Sequence, residues 1–144
     1  MYQNHVIDPS YFYDAIEQFA FNYKWYVIKN EESDEFYRTI THFDEKIIRG
    51  SLQSQGTKII RSKEGNITEH IYEFYCKSLY KINEGDFILY NNSYLIVTEF
   101  QDYDEWGVRS CVLKRIQLSE YKDFSDYIKY LNGEKIIWLM KFKI

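Results

Sequence analysis

The segment from Tyr80 to Leu118 constrains the fold most, because it predicts three strands joined by two turns. Gly85-Asp86 is a turn signal ahead of the apolar run from Phe87 to Tyr90, and Asn91-Asn92 separates that run from the next one, Tyr94 to Val97. Asparagine tolerates the left-handed backbone conformation that a two-residue hairpin turn requires. We therefore expect an antiparallel meander at the centre of a β-rich domain.

The third strand of the meander, Val108 to Leu118, alternates loosely between apolar and polar residues. Its two sides are predicted to carry Val112, Ile116 and Leu118 against Arg109, Arg115 and Gln117. Before it, Gln101 to Gly107 is acidic and aromatic, which predicts an exposed loop. The loop acids could hold a cation or could be ordinary solvated carboxylates; they are Asp102, Asp104 and Glu105.

Further strands are predicted on the N-terminal side of the meander. They cover Lys24 to Ile28, a short run from Phe36 to Thr41, and a firmer one from Lys46 to Leu52. The acidic run Asn30 to Glu35 is predicted to be a surface loop. Ile67 to Ser78 has the longest clean alternation and predicts a half-buried strand. Its buried face would carry His70, Tyr72, Phe74 and Cys76.

The segment from Gly50 to Asn66 is polar and glycine-rich, with three basic residues and one acid. It fits either a mobile loop or an extended hairpin that projects from the body. A projecting hairpin could be an ordinary exposed turn or an arm that meets a partner or DNA. The sequence leaves both pairs of alternatives open.

Helices are predicted at the two ends of the chain. Asp8-Pro9 is a helix start, and an apolar stripe at helical spacing follows, so we expect a helical region over about 8–22 that either covers an end of the sheet or binds a partner. Ser119 can cap a second, short helix that ends at Gly133. Lys135 to Ile144 alternates again and predicts a final strand, which must pair in its own sheet or with a neighbouring chain.

Length and composition fit a single domain over residues 1–144. We expect a mainly β (α+β) fold: a small antiparallel β-barrel or sandwich over about 24–118, with the helix and final strand over about 119–144. Aromatic residues make up 19% of the chain, which indicates contacts with other chains or reflects a coding bias toward AT-rich codons. The net charge of -4 argues against tight binding to duplex DNA.

The chemistry-bearing residue types do not form a recognisable catalytic or metal-binding pattern. The three histidines are far apart in sequence, and the two cysteines lie inside predicted strands, where they are expected to be small buried hydrophobes. We expect no catalytic residues, no metal and no cofactor. The sequence also lacks an apolar run of membrane-spanning length, and its first residues do not read as a signal peptide, so we expect no membrane partner and synthesis in a cytoplasm.

The order of features from Gly50 to Leu118 resembles the head-closure, or stopper, proteins of tailed bacteriophages, which belong to the head-tail connector family. The resembling marks are a glycine-bearing polar hairpin, the aromatic strand Tyr72-Glu73-Phe74, and the run Gly85-Asp86-x-Ile88-x-Tyr90. They continue with Tyr94 to Val97, the pair Asp102-Tyr103 and a closing strand. About half of the chain is covered, and the two terminal regions depart from the family pattern.

This resemblance implies a structural virion protein of the phage neck that is not an enzyme. It would form a ring, dodecameric in the virion, below the portal and its adaptor, retain the packaged double-stranded DNA with transient contacts, and dock the tail. The hairpin would supply a candidate channel or partner loop: Gln53, Gln55, Lys58, Arg61, Lys63 and Glu64. Candidate contacts between subunits are Trp106, Trp138 and Phe142.

Three alternatives to this interpretation remain open, one of which is an uncharacterised enzyme. A tail-completion or tail-terminator protein would use a similar ring at the other side of the same joint. A small barrel of the OB or SH3 type would instead bind single-stranded nucleic acid or a peptide, although the acidity of the chain counts against nucleic acid.

Overall fold

The computed structural model describes residue 14 and residues 16–33, 39–63 and 65–142, with only the backbone described at residues 32, 33, 39, 40, 60, 62 and 134–142. Within these residues, six antiparallel strands close into a barrel in the order β1-β2-β3-β6-β5-β4. The strands are β1 (Phe21–Ser33), β2 (Thr39–Ser62), β3 (Gly65–Lys77), β4 (Phe87–Tyr90), β5 (Ser93–Tyr103) and β6 (Val108–Ile116). This architecture confirms the prediction of a mainly β protein built on a small antiparallel barrel.

The barrel interior is filled by side chains that alternate along the strands. Its buried members are Trp25, Ile48, Tyr72, Phe74, Cys76, Ile82, Ile88, Leu95, Val97, Cys111 and Leu113. The predicted alternation of β3 is confirmed for Tyr72, Phe74 and Cys76, whereas His70 lies further along the strand and is exposed. Cys76 and Cys111 are free and fully buried, as expected of small hydrophobes. A hydrogen bond with Cys111, together with burial, raises the pKa of the Cys76 thiol.

Strand β2 is 24 residues long and changes partners along its length. It pairs with β1 as far as Gly50, which lies opposite Phe21, and it pairs with β3 from Gly50 onward, where Gly50 lies opposite Cys76. Each half of β2 also extends beyond the barrel, so a β1–β2 hairpin leaves one end of the body and a β2–β3 hairpin leaves the other. The two strands predicted at 36–41 and 46–52 are therefore parts of one strand over the described residues.

Helix α1 (Lys122–Phe142) lies against the outer wall of the barrel. A second cluster fills this contact, with buried Tyr26, Phe43, Phe87, Phe124 and Ile128. The rings of Phe87 and Phe124 stack in parallel with centroids 3.9 Å apart. In the first turn of α1, the Asp123 carboxylate accepts a hydrogen bond from the Thr41 backbone N–H (3.0 Å). The predicted helix after Ser119 is confirmed, and it fixes one face of the β1–β2 hairpin.

The prediction that this helix stops at Gly133 and gives way to a final strand at 135–144 is wrong, because α1 continues to Phe142. Residues 143 and 144 lie outside the described part of the chain. The six strands described here already close on one another, so the barrel leaves no edge for another strand, whereas a helix satisfies its own backbone hydrogen bonds. Glycine inside a helix costs about 1 kcal/mol relative to alanine, which this helix tolerates.

Two predicted loops are partly strand. Residues 30–33 of the acidic run belong to β1 and pair with residues 39–42 of β2, because a two-stranded ribbon can solvate both faces and therefore accepts polar side chains. The remainder of that predicted loop lies outside the described residues. The predicted loop at 101–107 is shorter, since β5 continues to Tyr103 and only a one-turn 3-10 helix, Asp104–Trp106, precedes β6. Gly107 ends this turn in the left-handed conformation, with φ of 62°.

Arg109 lies on the opposite side of β6 from Val112, as predicted, and this is the buried side, which also carries Cys111 and Leu113. Its charge is compensated locally by Asp102 on β5, which sequence alternation does not reveal. At the other end of the chain, residue 14 and residues 16–18 are helical, and β1 begins at Phe21. The predicted helical region over 8–22 is thus confirmed only at these positions, and most of it lies outside the described residues.

The Gly85-Asp86 turn is joined to strand β1 by a hydrogen bond to a buried carboxylate. Asp86 is 5% exposed, and its Oδ2 accepts hydrogen bonds from Trp25 Nε1 (3.0 Å) and from the backbone N–H of Asn83 (2.9 Å). Burial raises the pKa of Asp86 above its ordinary value, against the opposing effect of these hydrogen bonds. The ionised carboxylate is therefore less favourable in the folded chain than in the unfolded one.

Replacing Asp86 with asparagine should change the pH dependence of stability. Asp carboxylates in the unfolded chain lose their protons at about pH 4, whereas Asp86 in the folded wild type keeps its proton to a higher pH. The free energy of unfolding therefore falls as pH rises from about 4 through the folded pKa of Asp86. Asp86→Asn keeps an oxygen acceptor for Trp25 and removes the titration. Measured by urea unfolding, the stability of this variant relative to wild type should increase with pH; Asp126→Asn, at an exposed position on α1, is the control for the substitution itself. A difference that is independent of pH would contradict this account.

Candidate functional site

The β2–β3 hairpin is the most exposed element that the barrel positions. Residues 57–62 of β2 and 65–70 of β3 pair only with each other, because β1 leaves β2 at Gly50 and β6 pairs with β3 only from Ile71 onward. At about 3.3 Å per residue, this two-stranded ribbon extends roughly 20 Å beyond the last shared pairs. Of the two open sequence interpretations, the structure therefore selects the projecting hairpin over the loop.

A β-bulge marks the base of the ribbon. The register between β2 and β3 shifts between Ser54 and Thr57, and Gly56 adopts a positive φ of 89°. Bulges of this kind bend a strand and increase its twist. Glycine is suited to this position because residues with side chains rarely adopt that φ. The bulge thus sets the direction in which the ribbon leaves the barrel.

The structure divides the predicted loop residues between the base and the tip of the hairpin. At the base, Gln53 Nε2 donates to Ser51 Oγ (3.4 Å) and Gln55 Nε2 donates to Glu73 Oε2 (3.2 Å), so both amides are held against the body. Lys58, Arg61 and Lys63 lie on the ribbon and its turn, and all three are exposed. Glu64 lies outside the described residues. The three basic residues therefore share the ribbon and its turn, whereas the two glutamines lie at its base.

The basic residues point to different faces of the ribbon. Arg61 lies opposite Asn66, on the face that also carries Ile59, while Lys58 lies opposite Glu69 on the other face. Glu69 forms an ion pair with Lys114 (3.7 Å), which draws its carboxylate toward β6. Ile59 is 64% exposed. The ribbon therefore presents cationic groups in both directions, beside an exposed apolar side chain.

The acidic turn between β5 and β6 is organised around Arg109 and does not form a cation site of three carboxylates. Asp102 receives two hydrogen bonds from the Arg109 guanidinium, from Nε to Oδ1 (2.6 Å) and from Nη2 to Oδ2 (2.9 Å). These bonds lower the pKa of Asp102 below its ordinary value. Asp104 and Glu105 are exposed beside it. In the part of the chain that the structure describes, no group of three His, Cys, Asp or Glu side chains could hold a metal ion.

An aromatic groove of about 420 Å³ lies on the outer wall, where the N-terminal helical residues meet β2, β3 and the β5–β6 turn. It is lined by Ile16, Phe19, Ser51, Gln53, Tyr75, Tyr103 and Trp106. The rings of Tyr103 and Trp106 stack with centroids 5.7 Å apart, and the Tyr75 hydroxyl donates to Glu73 Oε2 (2.8 Å). Sequence analysis selected only Trp106 and Gln53 of this set, because the other residues come together through the tertiary fold.

The three predicted subunit-contact residues therefore have different positions. Trp106 lines the aromatic groove and is half-buried. Trp138 and Phe142 lie on the last turns of α1, where only the backbone is described, so the predicted strand that was to carry them is absent and the contacts of these two side chains are not defined.

By its architecture, the described part of the chain belongs to the class of small closed β-barrels. It has six strands, a basic hairpin at one end and a helix on the outer wall. Comparison with models of known protein families and with curated proteins found no match. Neither helical segment in the described residues combines the length and hydrophobicity that a membrane-spanning helix needs. The resemblance to phage connectors accordingly stays a prediction.

Proposed function

We propose that this chain is a structural protein of the neck of a tailed bacteriophage, a head-closure or head-tail connector protein. Copies would form a ring below the portal and its adaptor, retain the packaged DNA and dock the tail. The observation that carries the proposal is the β2–β3 hairpin, which leaves a closed barrel as a two-stranded ribbon with basic residues near its tip. Such an element can reach into a central channel while the barrel occupies its place in the ring.

The charge distribution supports contact with DNA that is weak and local. The whole chain carries a net charge of -4, whereas the ribbon presents Lys58, Arg61 and Lys63. Because binding to duplex DNA depends on the number of phosphates that cationic groups neutralise, a few basic side chains on each copy give only weak, salt-sensitive contacts. An acidic body with basic tips therefore suits a protein that lets DNA pass and contacts it at the channel constriction.

The barrel itself suits a repeated structural unit. Closure pairs the strands of the barrel wall on both sides, so unpaired edges among the described strands are confined to the parts that extend beyond the wall, such as the β2–β3 ribbon. Exposed apolar side chains remain at Phe19, Phe21 and Leu79, each more than half exposed. Such residues are available for contacts between copies or with neighbouring neck proteins. Each contact would be modest alone and would be strengthened by repetition in a ring.

Shortening the hairpin in the parent phage tests this proposal. Replacing residues 57–70 by a two-residue Asn-Gly turn should leave a folded barrel, because these residues pair only with each other. We expect heads that fill with DNA and then lose it, with a severe fall in plaque titre. The measurements are electron microscopy of the particles and the amount of nuclease-protected DNA.

Two further variants separate the length of the hairpin from its charge. Lys58→Gln/Arg61→Gln/Lys63→Gln keeps the ribbon and removes its cations, while Lys129→Gln removes a charge from exposed α1 as a control. Leakage in the shortened variant but only a partial defect in the triple variant would indicate a mainly steric closure. Normal virions from the shortened variant would overturn the stopper proposal. Stable filled heads that lack tails would favour a tail-completion protein instead.

A further inference from the structure

The aromatic groove on the outer wall has the composition of a site for a cationic side chain. Phe19, Tyr75, Tyr103 and Trp106 supply aromatic surface, and Phe19 is 58% exposed. Carboxylates occur on residues next to this surface: Glu73 accepts a hydrogen bond from Tyr75, and Asp104 and Glu105 occupy the same short turn as Trp106. A guanidinium or ammonium group attracts aromatic faces and carboxylates, and its aliphatic stem packs on apolar surface.

We infer that this groove binds Arg61 on the β2–β3 hairpin of a second copy of the chain. The charges are complementary: the groove is aromatic with carboxylates on neighbouring residues, and the exposed ribbon carries the cations of Arg61 and Lys63. Arginine suits the groove because its planar guanidinium stacks on aromatic rings and forms paired hydrogen bonds with carboxylates. Lys63, at the turn next to Arg61, is then placed to meet Asp104 and Glu105.

The hairpin of the same copy does not reach the groove. Gln53 lines the groove, and Arg61 lies eight residues further along the same strand, about 26 Å away at 3.3 Å per residue. Continuous pairing from Thr57–His70 to Ser62–Gly65 keeps the ribbon extended. A contact between Arg61 and the groove therefore joins two copies.

This contact is heterologous, because a hairpin on one copy meets a groove on the next, and repetition of such a contact gives a ring when the rotation closes. The inference rests on the proposed function only for this step from a single contact to a closed ring. The proposed contact is also consistent with the positions of Arg61 and Lys58 on opposite faces of the ribbon. When the face of Arg61 lies against a neighbour, Lys58 on the opposite face is directed away from that neighbour and is available to the channel.

Isotope-mixed cross-linking tests the contact in the full-length protein. Equal amounts of unlabelled and ¹⁵N-labelled protein are mixed at high concentration and treated with a carbodiimide, which joins lysine amines to carboxylates in direct contact. We expect peptides of mixed isotope content that link Lys63 to Asp104 or Glu105. Links confined to a single copy, or links from the hairpin to another surface, would overturn the inference.

Charge exchange supplies the matched variants. Arg61→Glu/Lys63→Glu should weaken self-association by about tenfold or more in sedimentation velocity, since unlike charges become like charges. Asp104→Lys/Glu105→Lys should do the same, and a mixture of the two variants should associate again. Lys129→Glu, at an exposed position on α1, should leave self-association unchanged. If the mixture fails to recover, the groove is not the partner of the hairpin.

The outcome of these experiments is separable from that of the phage experiment. A chain whose hairpin deletion causes leakage, but whose copies give no link between hairpin and groove, retains the proposed function and loses this inference. Conversely, a link between hairpin and groove in purified protein, with normal virions after hairpin deletion, supports the contact and rejects the stopper role.

Discussion

Replacing Gly50 with alanine is expected to lower the free energy of unfolding by about 3 kcal/mol, which corresponds to a fall in melting temperature of roughly 10 °C. A Cβ atom at this position would lie 2.5 Å from Phe74 Cζ and 2.5 Å from the Tyr75 carbonyl oxygen. Phe74 is fully buried in the barrel and Tyr75 contributes backbone of a paired strand, so neither can move aside easily. Urea unfolding followed by circular dichroism measures the loss.

Gly133→Ala is the matched control for this substitution. Nothing lies within 4 Å of a Cβ at Gly133, which is inside helix α1, so alanine should stabilise the protein by up to about 1 kcal/mol. The loss caused by Gly50→Ala should be smaller when it is measured in a Phe74→Leu background, because a smaller side chain at residue 74 removes one of the two clashes. An alanine at Gly50 that leaves stability unchanged would contradict the close approach of β2 and β3.

The position of Gly50 explains why the substitution matters for the whole fold. At this residue β2 ends its pairing with β1 and begins its pairing with β3. A strand that passes between two partners must bend, and glycine allows the two backbones to approach at such a corner. The same residue therefore connects the two hairpins that leave opposite ends of the barrel.

Local signals made the meander predictable from sequence. Phe87–Tyr90 is a strand with the predicted bounds, and Asn91 and Asn92 have positive φ values of 48° and 61°, as the two-residue turn required. Gly85 likewise has a positive φ, of 88°. In these cases the information lies within a few residues, because the turn chemistry and the apolar runs are adjacent in the chain.

The predictions that failed depended on contacts between distant residues. Residues 30–33 of the predicted acidic loop form a strand because residues 39–42 pair with them, and residues 135–142 form a helix because the described barrel is already closed. In both segments tertiary contacts determine the secondary structure and override local propensity. The hairpin could be placed from sequence, but its length depends on where β1 and β6 stop pairing.

Within the candidate site, the hairpin could be predicted from sequence and the aromatic groove could not. The basic residues of the hairpin follow one another along the chain and could be recognised from sequence. The aromatic groove combines residues from four separate parts of the chain, and of its rings only that of Trp106 was anticipated. A groove of this kind has no sequence signature, because its members share only their final positions.

Arg109→Ala is the second substitution with a large expected effect, a loss of about 3 kcal/mol in the free energy of unfolding. The Arg109 side chain is 6% exposed. Its guanidinium donates to Asp102, to the Ile82 carbonyl oxygen and to Asn83 Oδ1, and it lies 4.1 Å from the centre of the Phe100 ring. Truncation leaves the Ile82 carbonyl without this donor and a space below Phe100.

Arg109→Lys separates charge from geometry. Lysine keeps the positive charge but cannot form the paired hydrogen bonds to Asp102 and also reach Ile82, so most of the loss should remain. Recovery of full stability in the lysine variant would show that charge alone is sufficient and would contradict the role of the guanidinium fork. Arg61→Lys, at an exposed position on the hairpin, is a control for the substitution itself.

The pH dependence of Asp102→Asn identifies the ionic part of this arrangement. The hydrogen bonds from Arg109 lower the pKa of Asp102, so its contribution to stability is fully present above the unfolded value of about 4 and is lost as pH falls through the lower folded value. The difference in unfolding free energy between wild type and Asp102→Asn should therefore shrink as the solution is acidified below about pH 4. The Asp102 side chain is 30% exposed, whereas that of Arg109 is 6% exposed. Water can replace Arg109 as the partner of the more exposed Asp102, but it has less access to the buried Arg109. Asp102→Asn therefore leaves a buried cation with a weaker partner at neutral pH. A difference in unfolding free energy that does not vary with pH would mean that the pair acts through shape and not through charge.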